Sequence, residues 1–121
     1  MPARDDHLEQ ARHNSRFLAA LDKSAFKDWT ATVLFYIGLH YIDAFLAQKR
    51  NIHPSIHKTR DNAVATVSEL KPIYGNYSAL KNASFNARYM PPLRFTDQYV
   101  NDLENIHLAK IRAELAPHVA I

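Results

Sequence analysis

The amino-acid sequence predicts an all-α protein, an up-and-down bundle of four to five helices in a single domain of 121 residues. Apolar residues recur at spacings of three and four along most of the chain, which places them on one face of a helix. No stretch alternates polar and apolar residues as a half-buried strand does. Glycine occurs only twice, and prolines and asparagines separate the apolar stretches, which indicates helices joined by short connectors.

The first predicted helix runs from about Asp5 to Leu21 and is amphipathic. Its apolar and small residues at helical spacing are Leu8, Ala11, Ser15 and Leu18. Charged residues lie between them. We therefore expect this helix on the surface of the bundle, with one face buried.

The second predicted helix, about Ala25 to Gln48, is apolar on nearly all sides. Ser24 is the expected N-cap, because its hydroxyl can accept a hydrogen bond from a backbone N–H of the first turn. Such a helix must be covered on several sides, by other helices or by a second subunit. Its longest apolar run, Val33 to Leu39, is shorter than the roughly 18 residues that a membrane span needs. We expect no membrane segment.

Two more helices are predicted before the paired prolines. Pro54 suits the first turn of the third helix, which continues to Leu70 and ends before Pro72. The fourth covers about Ile73 to Tyr89. It stops at Met90 to Pro92 because adjacent prolines cannot continue a helix.

A fifth helix follows the prolines. Thr96 or Asp97 can cap it, and Pro117 lies near its end. We expect the core helices to lie between about residues 25 and 115, and residues 1–4 and 117–121 to fray.

The composition limits the possible functions. The chain has no cysteine, which excludes disulfides, zinc–thiolate sites and cysteine nucleophiles. The polar stretch Met1 to Gln10 lacks the apolar segment of a secretory signal, so a cytoplasmic location is expected. The net charge of +3 permits an acidic partner such as RNA.

A polar stripe lies on the second helix, formed at spacings of three and four by Thr32, Tyr36, His40 and Asp43. These residues share one face. His40 beside Asp43 can act as an oriented acid or base, so Tyr36, His40 and Asp43 are candidate pocket residues. The alternative is a buried hydrogen-bond network or a polar seam at a dimer interface.

A basic cluster begins the third helix. His53, His57 and Arg60 have the spacing of one helix face, and Arg50 and Lys58 lie nearby. Such an end can hold a phosphate or RNA. Two histidines four residues apart can also chelate a metal, but a metal needs further ligands. The structural alternative is that His53 caps the helix and His57 packs against a neighbour.

The fourth helix interleaves tyrosines with the basic residues Lys81 and Arg88. Aromatic and basic side chains together can bind single-stranded RNA. The alternative is that the tyrosines belong to the core, with their hydroxyls at the surface. Ser84 has no base at a recognisable spacing, which argues against a serine nucleophile.

Three segments resemble the HEPN superfamily. They are FYIGLHYIDAFLA (Phe35 to Ala47), HPSIHKTR (His53 to Arg60) and YSALKNASFNARY (Tyr77 to Tyr89), and the resemblance spans about Ala25 to Leu115. It implies a bundle of four or five helices, usually a homodimer. The superfamily includes prokaryotic toxin endoribonucleases, phage-defence ribonucleases and members without catalysis that bind nucleotides or proteins.

Active HEPN ribonucleases carry an arginine followed by four to six residues and a histidine. Two pairs have this spacing, Arg50 with His57 and Arg112 with His118. In related small members the arginine precedes an alanine-acid-tyrosine turn. Here Ser84 occupies the arginine position and Arg88 the acid position, so the motif is not intact there.

The resemblance and the residues together predict a dimeric protein that binds RNA or a nucleotide, as an atypical or degenerate endoribonuclease of a toxin–antitoxin or defence system. His53, His57 and Arg60 are the candidate catalytic residues. Arg50, Lys58, Lys81 and Arg88 are the candidate anion contacts. No cofactor or metal is part of this interpretation, and a cognate antitoxin is a possible partner.

Two other functions remain open. The chain can be a protein-interaction module without enzymatic activity. It can also be a metal-binding bundle centred on His40, His53 and His57, although such bundles usually supply more carboxylates.

Overall fold

The computed structural model describes residues 2–92 and 94–121, and over these residues the chain is all-helical, with no strand. The predicted all-α bundle is confirmed. The helices are α1 (Arg4–Ala20), α2 (Lys27–Lys49), α3 (His57–Thr66), a 3₁₀ turn (Lys71–Ile73), α4 (Tyr74–Tyr89), α5 (Asp97–Asp102), a π-helical segment (Leu103–Leu108) and α6 (Ala109–Leu115). The last three are continuous and are called the C-terminal helix.

The centre of the bundle is α2, against which α1, α4 and the C-terminal helix all pack. Its buried side chains point to every side of the helix except the face that carries Trp29, Thr32, Tyr36 and His40. By length and composition α2 is apolar enough to cross a membrane, but 78% of its apolar window is buried inside the bundle. A core helix has the same properties.

Gly38 allows two helices to approach α2 closely. A Cβ atom at this position would lie 3.3 Å from Leu80 Cδ1 of α4, and 3.5 Å from Ile111 Cδ1 and Leu108 Cδ1 of the C-terminal helix. The space that a side chain would need is therefore already filled by three leucine and isoleucine methyl groups. This close packing holds α4 and the C-terminal helix against the face of α2 that carries Gly38.

The predicted N-cap of α2 is wrong. The helix begins at Lys27 after Phe26, and no side chain caps it. Ser24 Oγ instead donates a hydrogen bond to Asp97 Oδ1 at 2.9 Å. Asp22 Oδ1 accepts a hydrogen bond from the backbone N–H of Ala25 at 3.0 Å. This bond keeps residues 22–25 in a turn, so the helix begins later than predicted.

The predicted third helix, Pro54 to Leu70, is wrong at both ends. α3 is shorter, because Ile56 before it and Val67 after it have extended backbone dihedrals. His53 and Pro54 therefore lie in the connector and not on the helix. Asn51 in that connector has a φ of 52°, which turns the chain after α2.

The C-terminal residues, which the sequence predicts to fray, pack against the bundle. Val119 is only 4% exposed, and Ile121 packs against the core. Gln48 Nε2 of α2 donates to the carbonyl of His118 at 3.0 Å. At the other end, the backbone N–H of Ala3 donates to Asp6 Oδ2 at 2.9 Å, and Met1 lies outside the described residues. The C-terminal residues thus form part of the bundle.

Candidate functional site: a groove along α2

An open groove runs along the polar stripe of α2, between α1 and α4, and is called the α2 groove. The part beside α1 has a volume of about 330 Å³. Residues of α2 form its floor, and those of α1 its wall; the principal ones are Trp29, Thr32, Tyr36 and His40 on the floor and Gln10, Asn14 and Phe17 on the wall. A second pocket of about 250 Å³ shares Trp29 and Thr32 and is also lined by Asp28 of α2 and by Ala87 and Arg88 of α4.

Two histidines meet at one end of the α2 groove. The Nδ1 atoms of His7 in α1 and His40 in α2 lie 3.0 Å apart, so one must carry the proton and donate to the other. Burial, together with the charge of His7 and Arg60, lowers the pKa of His40 to about 4. Burial also lowers the pKa of His7. Both rings are therefore neutral near pH 7.

Beneath the histidines lies a buried ion pair. Arg60 Nε donates to Asp43 Oδ1 at 2.7 Å, and Arg60 Nη2 donates to Asp43 Oδ2 at 2.8 Å. The two side chains are 7% and 2% exposed. Burial opposes the charge of Arg60, but the hydrogen bonds and charge of Asp43 outweigh it and raise the arginine pKa. The stripe is thus divided: Tyr36 and His40 line the groove, and Asp43 lies in the core.

His57 is oriented by the same arginine. Arg60 Nη1 lies 3.1 Å from His57 Nδ1. A guanidinium can only donate, so Nδ1 accepts and a neutral His57 carries its proton on Nε2. Burial and the charge of Arg60 lower the pKa of His57, which favours this neutral form. The exposed ring therefore presents an N–H donor.

A cation lies over the aromatic floor of the groove. The guanidinium carbon of Arg88 is 6.0 Å from the centroid of Tyr36 and 5.1 Å from that of Tyr89. Arg88 Nε also donates to the carbonyl of Ser84 at 3.2 Å. Over the described part of the chain, no carboxylate forms a salt bridge with Arg88. Its charge remains available to an anion.

Lys81 differs from Arg88, because Asp61 already neutralises it. Lys81 Nζ donates to Asp61 Oδ2, and the hydroxyl of Tyr77 donates to Asp61 Oδ1 at 2.5 Å. Tyr77 is buried in the core, as the structural alternative for this helix supposes. Lys81 is therefore a weaker candidate for an anion contact than Arg88.

The remaining residues of the predicted basic cluster point elsewhere. His53 Nδ1 donates to the carbonyl of Pro2 at 3.1 Å, so His53 does not cap α3. Arg50 Nη2 pairs with Glu69 Oε1 at 2.5 Å, and Lys58 is exposed. Of the three candidate catalytic residues, the structure brings His57 and Arg60 into contact and places His53 in another hydrogen-bond network.

Neither arginine–histidine pair of HEPN spacing forms a hydrogen bond across the described residues. The ring of His118 stacks edge-on with Phe45 at 5.5 Å, and Arg112 lies 6.0 Å from the centroid of Tyr41. Ser84 is fully buried, and its Oγ has no hydrogen-bond partner within residues 2–92 and 94–121. A buried hydroxyl cannot reach a substrate in the groove.

Sequence reasoning missed His7, Phe17 and Trp29. Trp29 lies three residues before Thr32 and extends the stripe, so spacing alone identifies it. On α1, a second face carries His7, Gln10, Asn14 and Phe17 at spacings of three and four. The helix prediction for α1 rests only on its apolar face, and this second face lies next to it, so the pattern was not recognised.

A second basic cleft lies on the other side of α1. It has a volume of about 330 Å³ and is lined by Arg12 and Arg16 of α1, by Tyr41, and by Arg112 of the C-terminal helix. None of the three arginines forms a salt bridge with a described carboxylate. This cleft is the natural comparison site for any anion that binds the α2 groove.

Comparison with known proteins adds no relative: no family model, curated protein or solved structure matches the chain. The HEPN relationship therefore stays a prediction from the three resembling segments.

Proposed function

We propose that the α2 groove binds single-stranded RNA or a nucleotide, in a HEPN-like homodimer. The observation that carries the proposal is the aromatic floor, where Trp29 is 57% exposed and Tyr36 lies under the guanidinium of Arg88. A base can stack on an exposed aromatic ring, which contributes about 1–3 kcal/mol per base.

Phosphate contacts are available beside this floor. Arg88 has no carboxylate partner among the described residues, and a guanidinium binds phosphate through paired N–H groups. His57 lies outside the two pockets, but burial, Arg60 and, more weakly, the charge of Arg88 lower its pKa. Its ring is held by Arg60, and we propose its Nε2 proton as a second donor to a longer strand. The larger pocket, of about 330 Å³, lies at the low end of small-molecule sites, and the adjoining pocket of about 250 Å³ is smaller than such sites; together they suit one base with its phosphate.

Cleavage of RNA requires a proton acceptor and stabilisation of the phosphate charge. His40 lines the groove and is neutral near pH 7, because its pKa is lowered to about 4. A neutral imidazole can accept a proton, whereas His57 as oriented can only donate. His40 with His57 and Arg88 is therefore the set that we propose for an atypical endoribonuclease of a toxin–antitoxin or defence system.

A second copy of the chain is proposed to cover the rim of the groove. Three large apolar side chains are exposed there: Phe17 at 48%, Trp29 at 57% and Tyr89 at 60%. Exposed apolar patches mark interaction sites more often than free surface does. The same rim would serve a cognate antitoxin if the protein is an interaction module.

RNA binding is tested with a short fluorescently labelled single strand, by anisotropy, on wild type and single variants. We expect Trp29→Ala to weaken binding about tenfold through lost stacking. Arg88→Ala should also weaken RNA binding. It should reduce the slope of log K against log salt concentration by about one, which is the loss of one phosphate contact. Competition by a mononucleotide distinguishes a nucleotide site from a longer RNA site.

Arg12→Ala is the matched control, since it removes an arginine from the other cleft. Equal binding by wild type, Trp29→Ala and Arg88→Ala would refute the groove, and loss with Arg12→Ala alone would move the site to the second cleft. The same mixtures, run on a denaturing gel, test cleavage. If His40→Ala and His57→Ala cleave RNA as wild type does, or none of the three cleaves it, the ribonuclease assignment is wrong.

A further inference from the structure

Three potential metal ligands converge where His40 lines the α2 groove. One ligand atom each from His7, His40 and Asp43 lies within 4.8 Å of the other two. His40 and Asp43 are three residues apart on α2 and so share a face, and α1 supplies His7 from across the helix contact. We propose that His7, His40 and Asp43 bind a divalent transition metal of the Zn²⁺ type.

The two imidazoles already have nearly the right separation. Zn–N bonds of 2.0–2.1 Å at a tetrahedral angle put the two nitrogens roughly 3.3 Å apart. The Nδ1 atoms of His7 and His40 are 3.0 Å apart and the ring centroids 5.3 Å apart, so the two nitrogens point at each other. Both rings must turn, by roughly 35° each, before their lone pairs converge on one metal position. The proton between them moves to the far nitrogen of its ring, a change of tautomer that leaves both rings neutral.

Asp43 keeps ligand capacity despite its ion pair. Each carboxylate oxygen accepts one hydrogen bond from Arg60, and a carboxylate has about four acceptor positions in all. Carboxylates that bind metals are themselves usually held by hydrogen bonds. Arg60, fixed from the other side by His57, is therefore an orienting partner of the third ligand.

The ligand set selects the kind of metal. Two imidazole nitrogens and one carboxylate suit Zn²⁺ and similar ions, whereas Mg²⁺ and Ca²⁺ require oxygen ligands. The charge of Arg60 disfavours a hard ion that depends on carboxylate charge alone. Three protein ligands leave a fourth position for water, and His40 also lines the groove, so that position would face any bound ligand.

The metal site that the sequence suggests consists of His40, His53 and His57, and only His40 belongs to the site proposed here. The other two histidines have other partners, because His53 bonds to the carbonyl of Pro2 and His57 to Arg60. His7 and Asp43 are the ligands proposed instead of them. Metal binding does not require RNA binding, and each is measured separately. A Zn²⁺ ion on His40 Nδ1 leaves the ring proton on Nε2, so His40 acts as the proton acceptor for RNA cleavage only in the metal-free chain.

Isothermal titration of the untagged, metal-free chain with Zn²⁺ tests the proposal. We expect about one Zn²⁺ per chain, and loss of this binding in both His7→Ala and His40→Ala. His13→Ala, an exposed histidine on α1, is the matched control and should bind as wild type does. Mg²⁺ should give no heat at the same concentrations.

Nitrogen chemical shifts of the histidine rings provide a second measurement in the wild-type chain. Zn²⁺ should move the Nδ1 signals of His7 and His40 and leave His13 unchanged, and circular dichroism should show each alanine variant folded. Undiminished Zn²⁺ binding in His7→Ala or His40→Ala, or shifts confined to other histidines, would overturn the site. So would the absence of stoichiometric binding by wild type.

Discussion

Asp43 and Arg60 show how two polar residues can be held inside an apolar bundle. Taking both charges out of water costs several kcal/mol per ion, and only good geometry and further hydrogen bonds offset that cost. Here both carboxylate oxygens accept from Arg60, and the third guanidinium nitrogen meets His57. Loss of one partner would leave the other charge buried without compensation.

Asp43→Ala should therefore lower the free energy of unfolding by about 3–5 kcal/mol. Replacement of both partners, as in Asp43→Leu with Arg60→Met, should recover most of that loss, because no charge remains to be solvated. Urea unfolding of the single and double variants measures both. Glu114→Ala, which breaks the exposed pair with Lys110, is the control and should change stability by less than about 0.5 kcal/mol. A similar small effect for Asp43→Ala would contradict this account.

At the scale of the element, α2 was predictable, because its apolar residues lie on nearly all sides of a helix and such a pattern indicates a buried core helix. The start of α3 was not. Pro54 suits the first turn of a helix, but it suits an extended connector equally well, and Ile56 is extended. The choice depends on contacts such as the bond of His53 to the carbonyl of Pro2, which local sequence does not specify.

The part of the site that lies on one helix was predictable, and the pairings between helices were not. Helical spacing places Tyr36 and His40 on one face, and the structure has both in the groove. The burial of Asp43 depends on Arg60, 17 residues away, and the partner of His40 is His7, 33 residues away. Periodicity describes one helix at a time, so pairings between helices lie beyond it.

The two glycines predict opposite effects within the helices. Gly75 lies in the first turn of α4 with nothing within 4 Å of an added Cβ, so Gly75→Ala should stabilise the protein by about 0.5 kcal/mol through reduced entropy of the unfolded chain.

Gly38→Val should lower the free energy of unfolding by about 1–3 kcal/mol through overpacking, because Leu80 Cδ1 would be 3.3 Å from its Cβ. Thermal or urea unfolding measures both. A stabilising Gly38→Val would show that α2 and α4 are not closely packed there.

At the scale of the whole molecule, the bundle leaves apolar side chains on one rim, beside the α2 groove that Arg88 lines. Within one chain, α2 is already packed against α1, α4 and the C-terminal helix on all sides but the groove. A second subunit would therefore add to a folded protomer and would not be needed to complete it. A stable interface takes about 800 Å² from each partner, roughly one eighth of the 6698 Å² surface.

The homodimer is tested through the rim itself, by light scattering at micromolar concentration. We expect wild type to be dimeric and Trp29→Asp to be monomeric, because a charge in an apolar interface is costly to desolvate. Ile106→Asp is the matched control, since Ile106 is 53% exposed on the C-terminal helix, and it should stay dimeric. Arg88→Ala should also stay dimeric while losing RNA affinity, which separates the two roles of the rim. A monomeric wild type would refute the dimer, and a dimeric Trp29→Asp would place the interface on another face.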